Sequence, residues 1–310
     1  MHWKLKSLIQ NSISLLPSQA SYSTYYWLQR NFGGLKSVQP NDSLFAGIKT
    51  WDLLQKQGHN PYGKTFFEVG TGRIPIIPIA YWLMGAKRVY TIDINPYIKE
   101  ELLQQTLQYM LHHSEEIQNL FGEKLVQERF DSILRAAGTQ ENLLSILTMC
   151  QIHYESPCDA ANTWLLSESI DFHTSYNVLE HIPPETLKNI FQEGNRIMKQ
   201  NGLFVHRVDY SDHFSHTDHN ITAINFLQYS DRKWKRYAGN RYMYMNRLRH
   251  DDFINLIEEA NQDILRVELE VDSHSLDNLE DESFKLNQRF SSKSKEILGI
   301  SSAWIISSKV

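Results

Sequence analysis

Phe66-Phe67-Glu68-Val69-Gly70-Thr71-Gly72, followed by Arg88-Val89-Tyr90-Thr91-Ile92-Asp93, is the stretch that decides the fold. It reads as a strand ending in an acidic residue, a glycine turn, a helix, and a second strand ending in an acidic residue. Gly70 and Gly72 permit a tight turn and a close approach of backbone to a ligand. Asp93 stands 21 residues beyond Gly72, at the end of the next strand. A carboxylate there can accept both hydroxyls of a ribose.

Glu68 separates two classes of ligand for this turn. A dinucleotide site wants G-x-G-x-x-G, so that a pyrophosphate can sit on the helix N-terminus. Here Pro75 fills the third glycine slot, and a carboxylate at Glu68 repels a pyrophosphate. The same carboxylate suits a cationic ligand with an amino group. S-adenosylmethionine (SAM) carries both an ammonium and a sulfonium.

The chain resembles the class I SAM-dependent methyltransferases. The resemblance rests on Glu68-Val69-Gly70-Thr71-Gly72, on Asp93, and on a later run from Ile170 to Pro183 that contains Asn177-Val178-Leu179-Glu180-His181. It covers roughly residues 60–210. The family's usual third glycine is replaced by Ile74, which bears on the path of the loop around the methionine part. Within the family, the likeness is to small-molecule and saccharide O-methyltransferases. It implies a Rossmann-like α/β fold: a seven-stranded, mostly parallel, doubly wound sheet with N-terminal helices and two helical or looped insertions.

The cofactor set that the resemblance implies is Glu68, Gly70, Thr71, Gly72, Asp93, Ile94, Asp159, Ala160 and Asn177. An acidic residue followed by a small one near Asp159-Ala160 contacts adenine in the family. Asp159 can equally cap a helix.

Composition bounds the partners. Among 310 residues, 31 Lys and Arg face 36 Asp and Glu, a net charge of −5, so no global basic field exists for nucleic acid. The 41% hydrophobic and 12% aromatic content supports a substantial core. Two cysteines, Cys150 and Cys158, form no disulfide framework and fit a reducing cytoplasm. The N-terminus, Met1 to Gln10, is amphipathic and too short to span a membrane. It reads as a helix packed on the protein. The sequence does not fix the oligomeric state.

Residues 1–60 read as a helical segment with crowded aromatics, and 61–310 as the methyltransferase domain. Strands are expected at 65–69, 88–93, 152–154, 170–177, 202–209, 264–271 and 302–309, alternating with helices. Two insertions exceed the simple fold, at 97–150 and 211–262. The acidic, serine-rich stretch from Asp272 to Ser292 reads as an exposed connection.

Two candidate catalytic residues lie where strands end. His181 follows the fourth strand and His213 leaves the fifth, at the edge where ligands of open α/β sheets sit. An alcohol is a weak nucleophile at neutral pH, so its methylation calls for a base or a metal. His213 with Asp209 or Asp212 can form such a base; His181 can be a base or can simply shape its turn. Asp209, Asp212, His213, Asp218 and His219 offer metal-type side chains, but their spacing fits no sharp ligand signature, and the reading carries no metal. Tyr210, His216, His219 and Arg247 are the candidate acceptor-binding residues, with Phe214, Trp234 and Tyr242 as apolar wall.

The expected activity is transfer of a methyl group from SAM to a hydroxyl of a small or medium-sized acceptor, free or carried on a phosphate-bearing arm. The basic-aromatic segment Asp231-Arg232-Lys233-Trp234-Lys235-Arg236-Tyr237 is the feature that would favour N- or RNA methylation instead. A non-catalytic SAM-binding scaffold is the alternative of another class.

Overall fold

The computed structural model describes residues 1–310. Seven strands form one sheet: β1 (Thr65–Val69), β2 (Arg88–Ile92), β3 (Ile152–Glu155), β4 (Ile170–Tyr176), β5 (Met198–Asp209), β6 (Gln262–Val271) and β7 (Ile300–Lys309). All seven lie where the apolar runs place them. The sheet is mixed, in the order β3-β2-β1-β4-β5-β7-β6. The pairings β3–β2, β2–β1 and β1–β4 are parallel. The order reverses between β1 and β4, a switch point of the kind beside which open α/β sheets bind ligands.

Thirteen α-helices accompany the strands. In chain order they are α1 (Trp3–Ser14), α2 (Ser18–Phe32), α3 (Asn41–Lys56), α4 (Ile76–Leu83), α5 (Glu100–His112), α6 (Ser114–Phe121), α7 (Gln127–Thr139), α8 (Leu143–Met149), α9 (Pro184–Ile197), α10 (Asp231–Ala238), α11 (His250–Glu259), α12 (Ser273–Glu280) and α13 (Lys295–Gly299). No helix is long and apolar enough to cross a membrane.

The chain divides into two compact units. One comprises residues 37–176, 189–206 and 306–310; the other comprises 1–36, 177–188 and 207–305.

In the first unit, four of the five β1 residues are buried, as expected of a strand covered on both faces. Phe66 stacks on Trp51 and on Tyr81, with ring centroids 5.9 and 4.4 Å away. Each such fully buried ring contributes roughly 1.5–3 kcal/mol. Pro75 precedes α4 at its N-terminus, where a missing N–H costs nothing. Gly47 of α3 lets α4 come close: a Cβ there would stand 2.7 Å from the Ala80 methyl. The insertion at 97–150 is helical, supplying α5 to α8.

In the second unit, Trp3 of α1 is the centre of an aromatic core. Its ring lies 4.8 Å from Tyr237, 5.4 Å from Phe214 and 6.3 Å from Trp234. Its backbone N–H donates to Asp218 at 2.8 Å. The stretch from Asp272 is not a plain connection. Asp272 accepts from the Ser275 N–H at 3.1 Å and so caps α12, a helix within the stretch that acidic composition marked only as an exposed connection.

Candidate functional site

The glycine turn and the ends of β1 and β2 form one tightly bonded cluster in the first unit. Gly70 and Gly72 both have positive φ, 87° and 73°, which a side chain would strain. Gly70 N–H donates to Ile92 O at 2.9 Å. Gly72 N–H donates to the Asp93 carboxylate at 3.0 Å. The Thr71 and Thr91 hydroxyls bond to each other. Space beside Gly72 is open: a Cβ there would meet no atom within 4 Å.

Asp93 is buried, and burial raises its carboxyl to about 7 against the opposing pull of its bonds from Gly72 and Tyr154. The Tyr154 hydroxyl donates to it at 3.3 Å. Glu68 is 2% exposed, and its Oε2 has no hydrogen-bond partner. Burial, then the charge of Asp93, pushes the Glu68 carboxyl well above the usual range. A buried, unpartnered carboxylate costs free energy that a cationic ligand would recover. This donor set fits an amino-acid ammonium at Glu68 and a ribose at Asp93.

Past β3 the chain returns to the same place. Cys158 N–H donates to Asp93 O at 2.9 Å, bringing Asp159 and Ala160 beside the end of β2. Asp159 accepts from Ala161 N–H at 2.9 Å, so it closes a turn and caps no helix. Ala160 is buried, whereas Ile94 is 62% exposed, unusual for an aliphatic side chain flanking a buried carboxylate. Tyr154 was not among the expected site residues. The sequence signal that would have found it is an aromatic hydroxyl at the end of the strand next to the acidic one.

The second cluster lies in the other unit. Asn177, in left-handed conformation (φ 54°), accepts from the Arg207 guanidinium through its amide oxygen. Glu180 and His181 sit in a short 3₁₀ turn, Leu179–His181. Asn246 pins that turn, donating its amide to Leu179 O and Ile182 O at 2.9 Å each. The His181 Nδ1 lies 2.8 Å from Tyr244 O. Desolvation, then the neighbouring His213, lowers the His181 imidazole to about 4.

Where β5 ends, Asp209 accepts from Ser211 N–H at 2.8 Å. His213 Nε2 stands 3.4 Å from Asp209 Oδ2, and His216 Nε2 stands 3.8 Å from it. Burial raises the Asp209 carboxyl, but His213, first among the bonds and charges opposing it, holds it well below the usual range. The His213 ring lies 4.8 Å from that of His181 and stacks on His216 at 4.9 Å. Ligand atoms of Glu180, His181 and His213 all come within 4.8 Å of one another.

The structure therefore joins His213 to Asp209 and not to Asp212. Asp212 is buried, bonded to Asn225 Nδ2 at 2.8 Å and to Phe214 N–H at 2.9 Å. Asp218 caps the start of α1. His216 is exposed, its Nε2 2.9 Å from Ser211 Oγ, and His219 is on the surface. Tyr210 and Arg247 are interior. Tyr210 bonds His250 Nδ1 through its hydroxyl at 3.1 Å. Arg247 donates to Phe226 O at 2.9 Å, to Tyr229 O at 2.7 Å and to Asp231. Phe214 and Trp234 belong to the aromatic core around Trp3. Packing has claimed these four side chains, which sequence composition had offered to an acceptor.

The chain matches no protein-family model and no curated protein. It is similar to several solved structures. One is a geranyl diphosphate methyltransferase in complex with SAM, at 10% identity over 85% of each chain and a TM-score of 0.45. Another is geranyl diphosphate C-methyltransferase from Streptomyces coelicolor A3(2), in complex with Mg²⁺, geranyl diphosphate and S-adenosyl-L-homocysteine. There identity is 10% over 86% of this chain and 79% of that one, with a TM-score of 0.47. A third is a SAM-dependent methyltransferase from Methanosarcina mazei, at 13% identity over 83% and 97% of the two chains, with a TM-score of 0.44.

Proposed function

We propose that this protein is a SAM-dependent methyltransferase acting on a hydroxyl of a small or medium-sized organic acceptor, a secondary metabolite or a saccharide. The observation that carries the reading is the buried Glu68 carboxylate with an unpartnered oxygen, set beside two positive-φ glycines and the buried Asp93. A pyrophosphate has no place beside two buried carboxylates; an ammonium and a ribose do.

In this reading Glu68 holds the ammonium and Asp93 the ribose hydroxyls, with Gly70, Thr71 and Gly72 lining the methionine part. Ile94 and Ala160 flank the adenine, and Asp159 accepts from its exocyclic amine. SAM supplies an electrophilic methyl on sulfur. The protein has to align the acceptor oxygen and remove its proton. His213, oriented by Asp209 at 3.4 Å, is the group assigned to that proton. His181 is less suited, because an imidazole held near 4 is a weak base at neutral pH. His216 and His219, both exposed, are assigned to acceptor binding.

RNA as acceptor is the weaker reading. On α10 the basic residues are not interleaved with a free aromatic platform, since Trp234 is 4% exposed. Incubating the protein with SAM labelled in the methyl group and a panel of hydroxylated metabolites, sugars and RNA tests the proposal. Label on a hydroxyl supports it; label on RNA alone overturns it.

A further inference from the structure

We propose that Glu180, His181 and His213 bind one divalent transition-metal ion of the zinc, iron(II) or cobalt(II) type. Three observations carry this. First, one ligand atom from each comes within 4.8 Å of the other two. Modest side-chain adjustment from there reaches a common centre at the usual metal–ligand distances of about 2.0–2.2 Å.

Second, neither carboxylate oxygen of Glu180 has a hydrogen-bond partner, although the residue is 2% exposed. Buried carboxylates are as a rule paired or metal-bound.

Third, the two imidazoles are presented as ligands are. His181 Nδ1 rests on Tyr244 O at 2.8 Å, which leaves Nε2 as its free lone pair. Metal-ligating histidines are held by just such a contact to a carbonyl. His213 Nε2 is buried with no hydrogen-bond partner, and its nearest carboxylate is Asp209 at 3.4 Å. Two imidazoles and one carboxylate suit zinc, iron(II) or cobalt(II) over magnesium or calcium, which prefer oxygen ligands.

The binding claim stands apart from methyl transfer. Only its consequence rests on the methyltransferase reading: with the ion bound, His213 is a ligand instead of a base, and the Lewis acid takes over the lowering of the hydroxyl pKa.

The test is titration of the chelator-treated full-length protein with Co²⁺, followed by visible absorption. The expected result is one equivalent bound with d–d bands, displaced by Zn²⁺ and not by Mg²⁺. Affinity should rise with pH, because imidazole and carboxylate ligands bind a metal in their deprotonated forms. Glu180→Gln and His213→Ala should each weaken binding by about 100-fold or more, while His274→Ala, at an exposed site, leaves it unchanged. If Glu180→Gln does not fold, His213→Ala, whose side chain is 17% exposed, carries the test. Absence of stoichiometric Co²⁺ binding by the folded protein overturns the proposal, as does wild-type affinity in the folded variants. No methyl transfer is read, so a protein that binds Co²⁺ but methylates nothing leaves the site standing and removes only the function.

Discussion

The backbone N–H of Gly72 donates to the Asp93 carboxylate at 3.0 Å, tying the glycine turn after β1 to the acidic end of β2. A buried carboxylate, raised by burial to about 7, is thus held at the point proposed for the ribose.

The proposed ribose contact at Asp93 predicts proton-linked cofactor binding. Its carboxyl stands at about 7, so it is half-protonated near neutrality, and hydroxyl donors favour the anion. SAM affinity should fall as pH drops below 7, and binding near pH 7 should release protons. Calorimetry in buffers of different ionisation enthalpy measures that release; zero proton exchange at pH 7 contradicts the assignment.

His213→Ala should lower turnover by about 100-fold or more while SAM still binds. Single-turnover kinetics beside a SAM titration separates the two effects. Near-normal turnover would remove His213 as the base.

The strands were legible because β1 to β7 carry continuous or alternating apolar runs, which local pattern reveals. The turn at Gly70 and Gly72 and the place of Asp93 at the end of β2 were legible because they depend on backbone geometry and spacing. Other features arise only from packing. Trp3 reaches Asp218 across 215 positions, and Phe214 and Trp234 are buried against it, so a polar-looking insertion conceals a core. The isolation of the Glu180 carboxylate and the pinning of its turn by Asn246 depend on segments some 65 residues apart. No local pattern announces either.

Acid should unfold the protein through its buried histidines. His206 is depressed to about 3 and His173 well below its ordinary value, both by burial. A depressed folded value means stability is fully present above about 6.5 and is lost as pH falls toward the folded value. Both ring nitrogens of His173 lack a partner. His173→Leu should therefore flatten the acid limb between pH 6.5 and 4 without loss of stability at pH 7.5. Urea midpoints across that range measure it, and an unchanged slope counts against the prediction.

Arg249 is a structural cation. Fully buried, it donates to Tyr210 O at 2.6 Å, Leu298 O at 2.8 Å and Ile300 O at 2.5 Å. Arg249→Met removes three charge-assisted bonds to buried carbonyls and should cost more than about 3 kcal/mol. Denaturant unfolding checks this; a loss under about 1 kcal/mol would show that the site relaxes.

The central claim is tested most directly by titrating the wild-type protein and Asp93→Ala with SAM in a calorimeter. Loss of charge-assisted bonds to the ribose is worth about 1.5–3 kcal/mol. The account predicts that the wild type binds SAM and that Asp93→Ala binds it roughly tenfold to a hundredfold more weakly. Equal affinity in the two proteins, or binding of NADH in place of SAM, would contradict it.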